Sequence, residues 1–394
     1  MRIGHFLSHF PEPGGTTTML LGLSSGLVEQ GHEVFAYGYG ADASARSGST
    51  PNEVLTRSEE IGITGRIFSG RRGRAVSLLR RTDALTSWLA SNGDDLDVIV
   101  IHGAFSASSP GVARAAEEGG IFRVACPHDP YSPAIFGTRS VIKRAYWRLV
   151  EAPFLRSVQA IHLLAPSHER YLRALGVEVP TFVVPNGLDR WPVEATGERP
   201  HERRPHSPEE GLRLLYFGRW DIYNKGLDLL LSAIAEARSD IEGIRLDVAG
   251  RATGSELETL RRLIASLGLG DEVSIVGFLP DPDGAIRAAH AVVLPSRFDG
   301  FGQVVLESLA LGTPVIASSK AGAAEYLGEN DGVWVTEPNV PSIVDSFRGL
   351  FDARHRYRTS AQAAHSRLMA EFNWSLLARH WVDHVGRIMS TRRA

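Results

Sequence analysis

Asp299-Gly-Phe-Gly-Gln-Val-Val-Leu-Glu307 places two carboxylates eight positions apart, across a Gly-Phe-Gly turn that opens an apolar helix. Ahead of it, Ala291 to Ser296 (AVVLPS) is a short apolar run of strand type, and behind it Gln303 to Leu311 has helical periodicity. A strand, a glycine-rich turn and a helix together aim backbone N–H groups and a positive dipole end at an anion. With the helix starting at Gly302 or Gln303, Glu307 stands about one turn in, on the face that looks back toward whatever the turn holds. A phosphate at the turn and a hydroxyl-bearing group beside Glu307 together describe a nucleotide.

Working outward, the second half alternates strand and helix: LRLLYFG (212–218), a helix from about Gly226 to Arg238, IRLDVAG (244–250), a helix to Leu267, VSIVGF (273–278), AVVLPS, PVIAS (314–318) and GVWV (332–335). The first half does the same, with RIGHFL (2–7), a helix from Thr16 to about Gln30, EVFAYG (33–38), DVIVIHG (97–103) and FRVACP (122–127). Such alternation is the pattern of a parallel sheet wrapped by helices. Between them GLDRWPVEATGERPHERRPHSPEEG (187–211) is rich in Pro, Gly, Glu and Arg and reads as a linker or exposed excursion. Near the end Trp374, Leu377, Trp381, Val385 and Ile388 form an apolar stripe at helical spacing, which suits a helix closing over one or both domains. The expected architecture is α/β. Two doubly wound Rossmann-like domains, 1–187 and 211–370, face a central cleft, joined by a linker at 188–210 and followed by a crossover helix at 371–394.

At 394 residues the chain exceeds the size at which one core keeps growing, so two domains are the prior. A net charge of -3 gives no global pull toward nucleic acid, and no nucleic-acid partner is expected. A lone Cys126 excludes an intrachain disulfide and any Cys-based zinc cluster, and reads as a buried small apolar residue. MRIGHFLSHF lacks a long apolar core and a cleavage site, and no apolar run is long enough to span a bilayer, so a cytoplasmic protein is expected, with peripheral contact at the inner membrane face left open. Among 42 basic residues only Lys143, Lys225 and Lys320 are lysines, which draws attention to Lys225 as a site for a compact point charge.

That lysine ends the loop Gly218-Arg219-Trp220-Asp221-Ile222-Tyr223-Asn224-Lys225-Gly226, at the start of a helix. Two cations in one strand-to-helix loop suit a diphosphate. In the first half, Gly14 and Gly15 stand just before the first helix, where the backbone can approach a phosphate or acceptor closely. His128 and Asp129 lie in CPHDPYSP just after a strand, and His102 closes DVIVI, where a strand-end hydrogen-bonding role is expected. GYGADA (38–43) imitates a dinucleotide fingerprint but follows the second strand, and is discounted.

FGRW followed by NKGLDLLLSAI, then DVAG, VGFL, LPSRFDGFGQVVLESLALGTPVIAS and AG before Glu325 resembles the retaining glycosyltransferases of family 4, which have the GT-B fold. Gly14-Gly15, GHEV (31–34), His128-Asp129 and PNG (185–187) extend the resemblance into the first half. It implies transfer of a sugar from a nucleotide-sugar donor to a hydroxyl acceptor with retained anomeric configuration, and no metal or other cofactor. It further implies that Glu307 accepts hydrogen bonds from ribose hydroxyls, Asp299 touches the donor sugar, Arg219 and Lys225 hold the diphosphate, and His128 contacts the sugar. By the same resemblance the amides of Gly300, Phe301, Gly302, Gln303 and Val304 meet phosphate or sugar oxygens, and Gly218, Gly277 and Phe278 lie near the nucleotide. Core roles for Phe278 and Phe301, and a structural one for His128, stand beside these. At Asp299 the family usually has glutamate, and one methylene less shortens the reach by about 1.5 Å.

The acceptor stays open among polysaccharide, lipid-linked saccharide and small molecule. GRIFSGRRGRAVSLLRR (65–81) and TRSVIKRAYWRLV (138–150) are basic and amphipathic, fit either for anionic lipid or acceptor, or as solvated helix faces. A sugar-nucleotide epimerase or hydrolase of the same fold, with Asp129 as a candidate acid or base, is one rival reading. A non-catalytic nucleotide-sugar-binding protein is the other. A dehydrogenase is disfavoured because neither half opens with Gly-x-Gly-x-x-Gly.

Overall fold

In the computed structural model the described residues are 1–394 without 13, 41–49, 70–82, 93–94, 129–130, 137–139, 189–210, 253–254, 354–363, 365–366 and 394. All but the first residue of the linker 188–210, Asp129, and residues 70–81 of the basic stretch 65–81 therefore lie outside them. The chain forms two compact units, Met1–Asp189 with Phe372–Ala394, and Arg190–Glu371.

The first unit holds seven parallel strands: β1 (Arg2–Phe6), β2 (Glu33–Gly40), β3 (Ile63–Ser69), β4 (Val98–His102), β5 (Phe122–Cys126), β6 (Ala160–Leu163) and β7 (Thr181–Val183), in the order β3-β2-β1-β4-β5-β6-β7. The second holds β8 (Arg213–Arg219), β9 (Arg245–Arg251), β10 (Val273–Gly277), β11 (Ala291–Leu294), β12 (Val315–Ser318) and β13 (Val333–Thr336), in the order β10-β9-β8-β11-β12-β13. β4, β6, β11 and β12 are buried along their whole length, as continuous apolar strands covered on both faces must be. In each sheet the strand order reverses at one place, between β1 and β4 and between β8 and β11. Loops leaving the carboxyl ends of such a pair diverge and leave a crevice, the ordinary ligand position in a doubly wound sheet.

Three strands were not anticipated from the sequence: β3, β6 and β7. Residues 65–69, expected on a basic helix face, lie instead in the edge strand β3. GYGADA begins inside β2, and its last three residues lie outside the described residues.

The apolar stripe near the C-terminus forms the helix Trp374–Arg393, and its partner is the first unit itself. Trp374, Leu377, Trp381 and Val385 are buried, and the Trp381 ring meets Phe182 of β7 edge to face at 6.3 Å. The first helix, Gly15–Glu29, lies against it so closely that a Cβ at Gly26 would stand 2.3 Å from the Trp374 carbonyl oxygen. Gln30 Nε2 bridges the two by donating to the carbonyls of Gly26 and Ser375, each at 2.9 Å.

Gly26→Ala is expected to destabilise the protein by about 1–3 kcal/mol through overpacking, although alanine is the better helix former. Gly386→Ala, in the closing helix where a new Cβ meets nothing within 4 Å, is expected to stabilise by roughly 0.5–1 kcal/mol. Urea midpoints of both variants against the parent check the pair.

Candidate active site

In the second unit, β8 and β11 are neighbours at the point of reversal, and the two loops singled out in the sequence leave their carboxyl ends. Two contacts hold those loops together. Gly226 sits at φ 69° with its Cα so close to β11 that a Cβ would lie 2.1 Å from the Pro295 carbonyl oxygen, so only glycine fits. Arg297 then reaches back with both guanidinium nitrogens to Asp228, each at 2.7 Å, donates to the Tyr223 carbonyl at 2.7 Å and lies over the Tyr223 ring at 4.3 Å. Asp221 shapes the first loop from inside by accepting from the Asn224 amide and side chain.

The consequence is a direct ion pair between Lys225 Nζ and Asp299 Oδ2, both largely shielded from solvent. Tyr216 stands beneath them, its hydroxyl donating to the Arg219 carbonyl at 2.7 Å. Burial, reinforced by the Asp299 charge, pushes this phenol up, so it stays a neutral donor. Arg219 closes β8 with its side chain exposed and forms no ion pair among the described residues. Gly218, also singled out, has room for a Cβ. The steric demand falls on its partner Gly250, where a Cβ would lie 1.8 Å from the Gly218 oxygen.

Gly302 caps the helix Gln303–Ala310 at φ 82°, and a Cβ there would meet Leu294 at 2.7 Å. The helix thus starts immediately after Gly300 and Phe301, with the amides of Gln303 and Val304 in its first turn, where they have no intrahelical acceptor. Glu307 follows in the next turn, half-buried. Phe301 is 3% exposed and packs on Tyr326 at 6.2 Å, so its ring belongs to the core and only its backbone is left for a ligand. Phe278 is the reverse. It is 65% exposed beside Gly277 (φ 75°), with the Arg251 guanidinium 5.3 Å from its ring centre, a flat face flanked by a cation. The sequence alone did not separate these two phenylalanines.

In the first unit the point of reversal carries a chain of three imidazoles, those of His5 and His102 buried and that of His128 half-buried. His5 Nδ1 meets His102 Nε2 at 2.9 Å and His102 Nδ1 meets His128 Nε2 at 2.8 Å, the rings stacked in sequence. Burial lowers all three, His5 and His128 to about 3 and His102 well below its ordinary value, so each is neutral and carries one proton. His5 Nε2 is buried without a partner. A buried unpaired N–H is rarer than an unpaired lone pair, which sets the direction: His5 donates to His102 and His102 donates to His128. The proton of His128 therefore sits on Nδ1. His162 repeats the pattern, donating Nε2–H to the Val184 carbonyl at 2.9 Å and leaving Nδ1 bare.

His102 is thus the strand-end hydrogen-bonding residue expected, and His5 is a participant that the sequence reading missed. Cys126 is buried as anticipated, but it stands beside the relay: its sulfur and ring nitrogens of His102 and His128 lie within 4.8 Å of one another. Such a donor set can hold a soft metal ion, a constellation the sequence reading did not foresee. The two imidazoles are already spent on each other and burial pushes the thiol up, so an ion would have to displace the relay's own hydrogen bond. His128 adopts φ 60°, and the other described non-glycine residues at positive φ, Phe105 and Tyr131, lie close by in the chain's loops. Buried Glu151 ties those two together, accepting from Tyr131 Oη at 2.5 Å and the Phe105 amide at 2.9 Å. Gly14 and Gly15 open the first helix, and a Cβ at either would meet nothing within 4 Å, so protein packing does not demand glycine there.

Since the folded values of these histidines lie below the unfolded value near 6.5, the unfolded chain binds more protons between roughly pH 3 and 6.5. Their contribution is complete above that range and is lost as pH falls, by up to about 1.4 kcal/mol per pH unit for each imidazole. Urea unfolding from pH 7 to 4.5 is expected to show this slope, and His5→Phe is expected to reduce it by about one proton.

Residues 13–190 match the model for Glycosyltransferase Family 4, and residues 198–367 that for Glycosyl transferases group 1. Glycogen synthase of Mycobacterium tuberculosis is 31% identical over 207 residues, 50% of this chain and 46% of that protein. D-inositol 3-phosphate glycosyltransferase of Pseudarthrobacter chlorophenolicus is 34% identical over 161 residues, 39% of this chain and 38% of that one. The chain thus spans about half or less of the length of these relatives. Among solved structures, HepE of Anabaena in complex with UDP and glucose superposes with a TM-score of 0.74 at 17% identity, covering 98% of this chain and all of that one. Sucrose-phosphate synthase of Thermosynechococcus elongatus gives 0.72 at 19%, covering 99% and 100%. At such identities the likeness speaks for the fold, and it agrees with the two parallel sheets. With family models matched in both halves, the chain belongs to the GT-B glycosyltransferases, a family 4 half followed by a group 1 half.

Proposed function

We propose that the protein transfers a sugar from a nucleotide-sugar donor to a hydroxyl acceptor, with retention of anomeric configuration and without a metal ion. The observation that carries this reading is the pairing of Lys225 with Asp299 at the carboxyl ends of β8 and β11, beside the start of the helix that bears Glu307. Lys225, Arg219 and the helix end answer the negative charge that grows on a departing nucleoside diphosphate. Glu307 accepts from the two ribose hydroxyls. Phe278 offers its exposed face to the base. Asp299, released as the arriving diphosphate draws Lys225 to itself, accepts from a hydroxyl of the sugar. His128, with its proton on Nδ1, is a neutral donor of the kind a sugar hydroxyl accepts from.

As the bond from the anomeric carbon to the phosphate oxygen breaks, the acceptor oxygen attacks from the same face, and its proton passes to the departing phosphate. No protein base is required in this step. An epimerase or hydrolase of this fold calls for acid and base carboxylates in the first unit; its candidate Asp129 lies outside the described residues, and Glu151 is occupied by Tyr131 and Phe105.

UDP and GDP head the nucleotides to test, because HepE was solved with UDP and one relative is a GDP-mannose-dependent mannosyltransferase. Calorimetric titration in EDTA with UDP, GDP, ADP, CDP and dTDP is expected to show one preferred nucleotide. Glu307→Ala is expected to weaken it about 100-fold, the loss of two charge-assisted hydrogen bonds, and Asp299→Ala far less. Equal small losses would remove the support for this assignment. The anomeric proton coupling of the product, read by NMR, is expected to match that of the donor.

A further inference from the structure

The most exposed large apolar side chains among the described residues are Val141, Leu149 and Ile142, at 79, 77 and 72%. All three lie on one helical rod of the first unit, formed by the helix Ser140–Tyr146, a π-helical turn Trp147–Glu151 and the helix Ala152–Ser157. Positions 141, 142, 145, 148 and 149 are exposed together, while Trp147, Ala152, Phe154 and Leu155 hold the rod to the core. The rod therefore turns an apolar face outward. π-helical turns are uncommon and tend to occur at functional positions.

Apart from Glu151, the charges that the rod itself carries, Lys143, Arg144, Arg148 and Arg156, have one sign. From residue 131 to 168 the chain has one acid, Glu151, and five bases, in a protein whose net charge is -3. Glu151 is buried and spent on Tyr131 and Phe105, so it does not neutralise the surface. Arg144 and Arg148 form no ion pair among the described residues. They open onto a cavity of about 650 Å³ that Tyr131, Phe136, Trp147 and Arg156 also line. Exposed Val, Ile and Leu beside unneutralised arginines, over a cavity walled by aromatic rings, match an interface whose interior is apolar and whose rim is phosphate.

We propose that this face docks the protein on a bilayer containing anionic phospholipid, with Val141, Ile142 and Leu149 entering the headgroup boundary and Arg144 and Arg148 holding lipid phosphate at the cavity mouth. No helix among the described residues is long and apolar enough to cross a membrane, so the contact is peripheral. Resting on the transferase reading, it selects a lipid-linked acceptor; the docking itself is independent of that reading and is tested without turnover.

The test is cosedimentation of the full chain with phosphatidylglycerol-containing vesicles and with pure phosphatidylcholine vesicles. The expected result is binding to the anionic vesicles, reduced at least tenfold in partition coefficient by Val141→Glu with Leu149→Glu, and again by Arg144→Ala with Arg148→Ala, while nucleotide titration and circular dichroism stay as in the parent. Three results would overturn the proposal: no binding by the parent, equal binding to neutral vesicles that ignores both double variants, or a sedimentation coefficient showing that the glutamates break a dimer. Loss of nucleotide binding with docking intact would strike the functional reading alone.

Discussion

The candidate donor site depends on one close approach, the backbone of Gly226 against the carbonyl of Pro295. It brings together the loops that leave β8 and β11, and the guanidinium of Arg297 then fixes their spacing by a fork onto Asp228. Everything proposed for the donor is downstream of that stitch. Lys225 and Asp299 are 74 positions apart in sequence, and neither loop alone would hold its charge at the mouth of the sheet. A side chain at Gly226 would separate the loops before it touched any ligand. An Arg297 variant would leave both charges present but unregistered, a displacement to which catalytic groups are very sensitive.

The first unit solves a related problem with neutral groups. A single imidazole at a strand end has two tautomers and a free ring rotation. Stacked behind His102 and His5, His128 has one orientation and one proton position, and the cost is three rings that cannot be charged without loss of stability. Burial therefore makes His128 a donor rather than an acid, which suits recognition of a hydroxyl better than proton transfer.

How much of this was legible in the sequence can be judged residue by residue. Three of the four fully buried strands were plain, because VIVI, AVVL and PVIAS are continuous apolar runs of the kind a doubly covered parallel sheet uses. β3, β6 and β7 were not, since GRIFS mixes arginine with glycine, and AIHL and TFV are too short to stand out. Lys225 drew attention because lysine is rare in this chain. Arg297 did not, although it does as much to build the site, because arginine is the ordinary cation here and nothing in local spacing marks one that folds back on a helix. His5 and His102, 97 positions apart, become neighbours only because β1 pairs with β4. Gly277-Phe278 and Gly300-Phe301 look alike on paper. One ring is exposed at the end of an edge strand and the other is buried behind a helix start.

The closing helix adds an order of events to the architecture. Residues 374–393 complete the first unit, yet the whole of the second is synthesised before them. On the ribosome the second unit is an uninterrupted segment and can fold as soon as it emerges, whereas the first must wait with the groove around Gly26 and Phe182 uncovered. The later-made half thus matures first. A chain arrested or clipped before Trp374 would carry an intact second unit attached to an unfinished first one with its apolar seam exposed to chaperones and proteases.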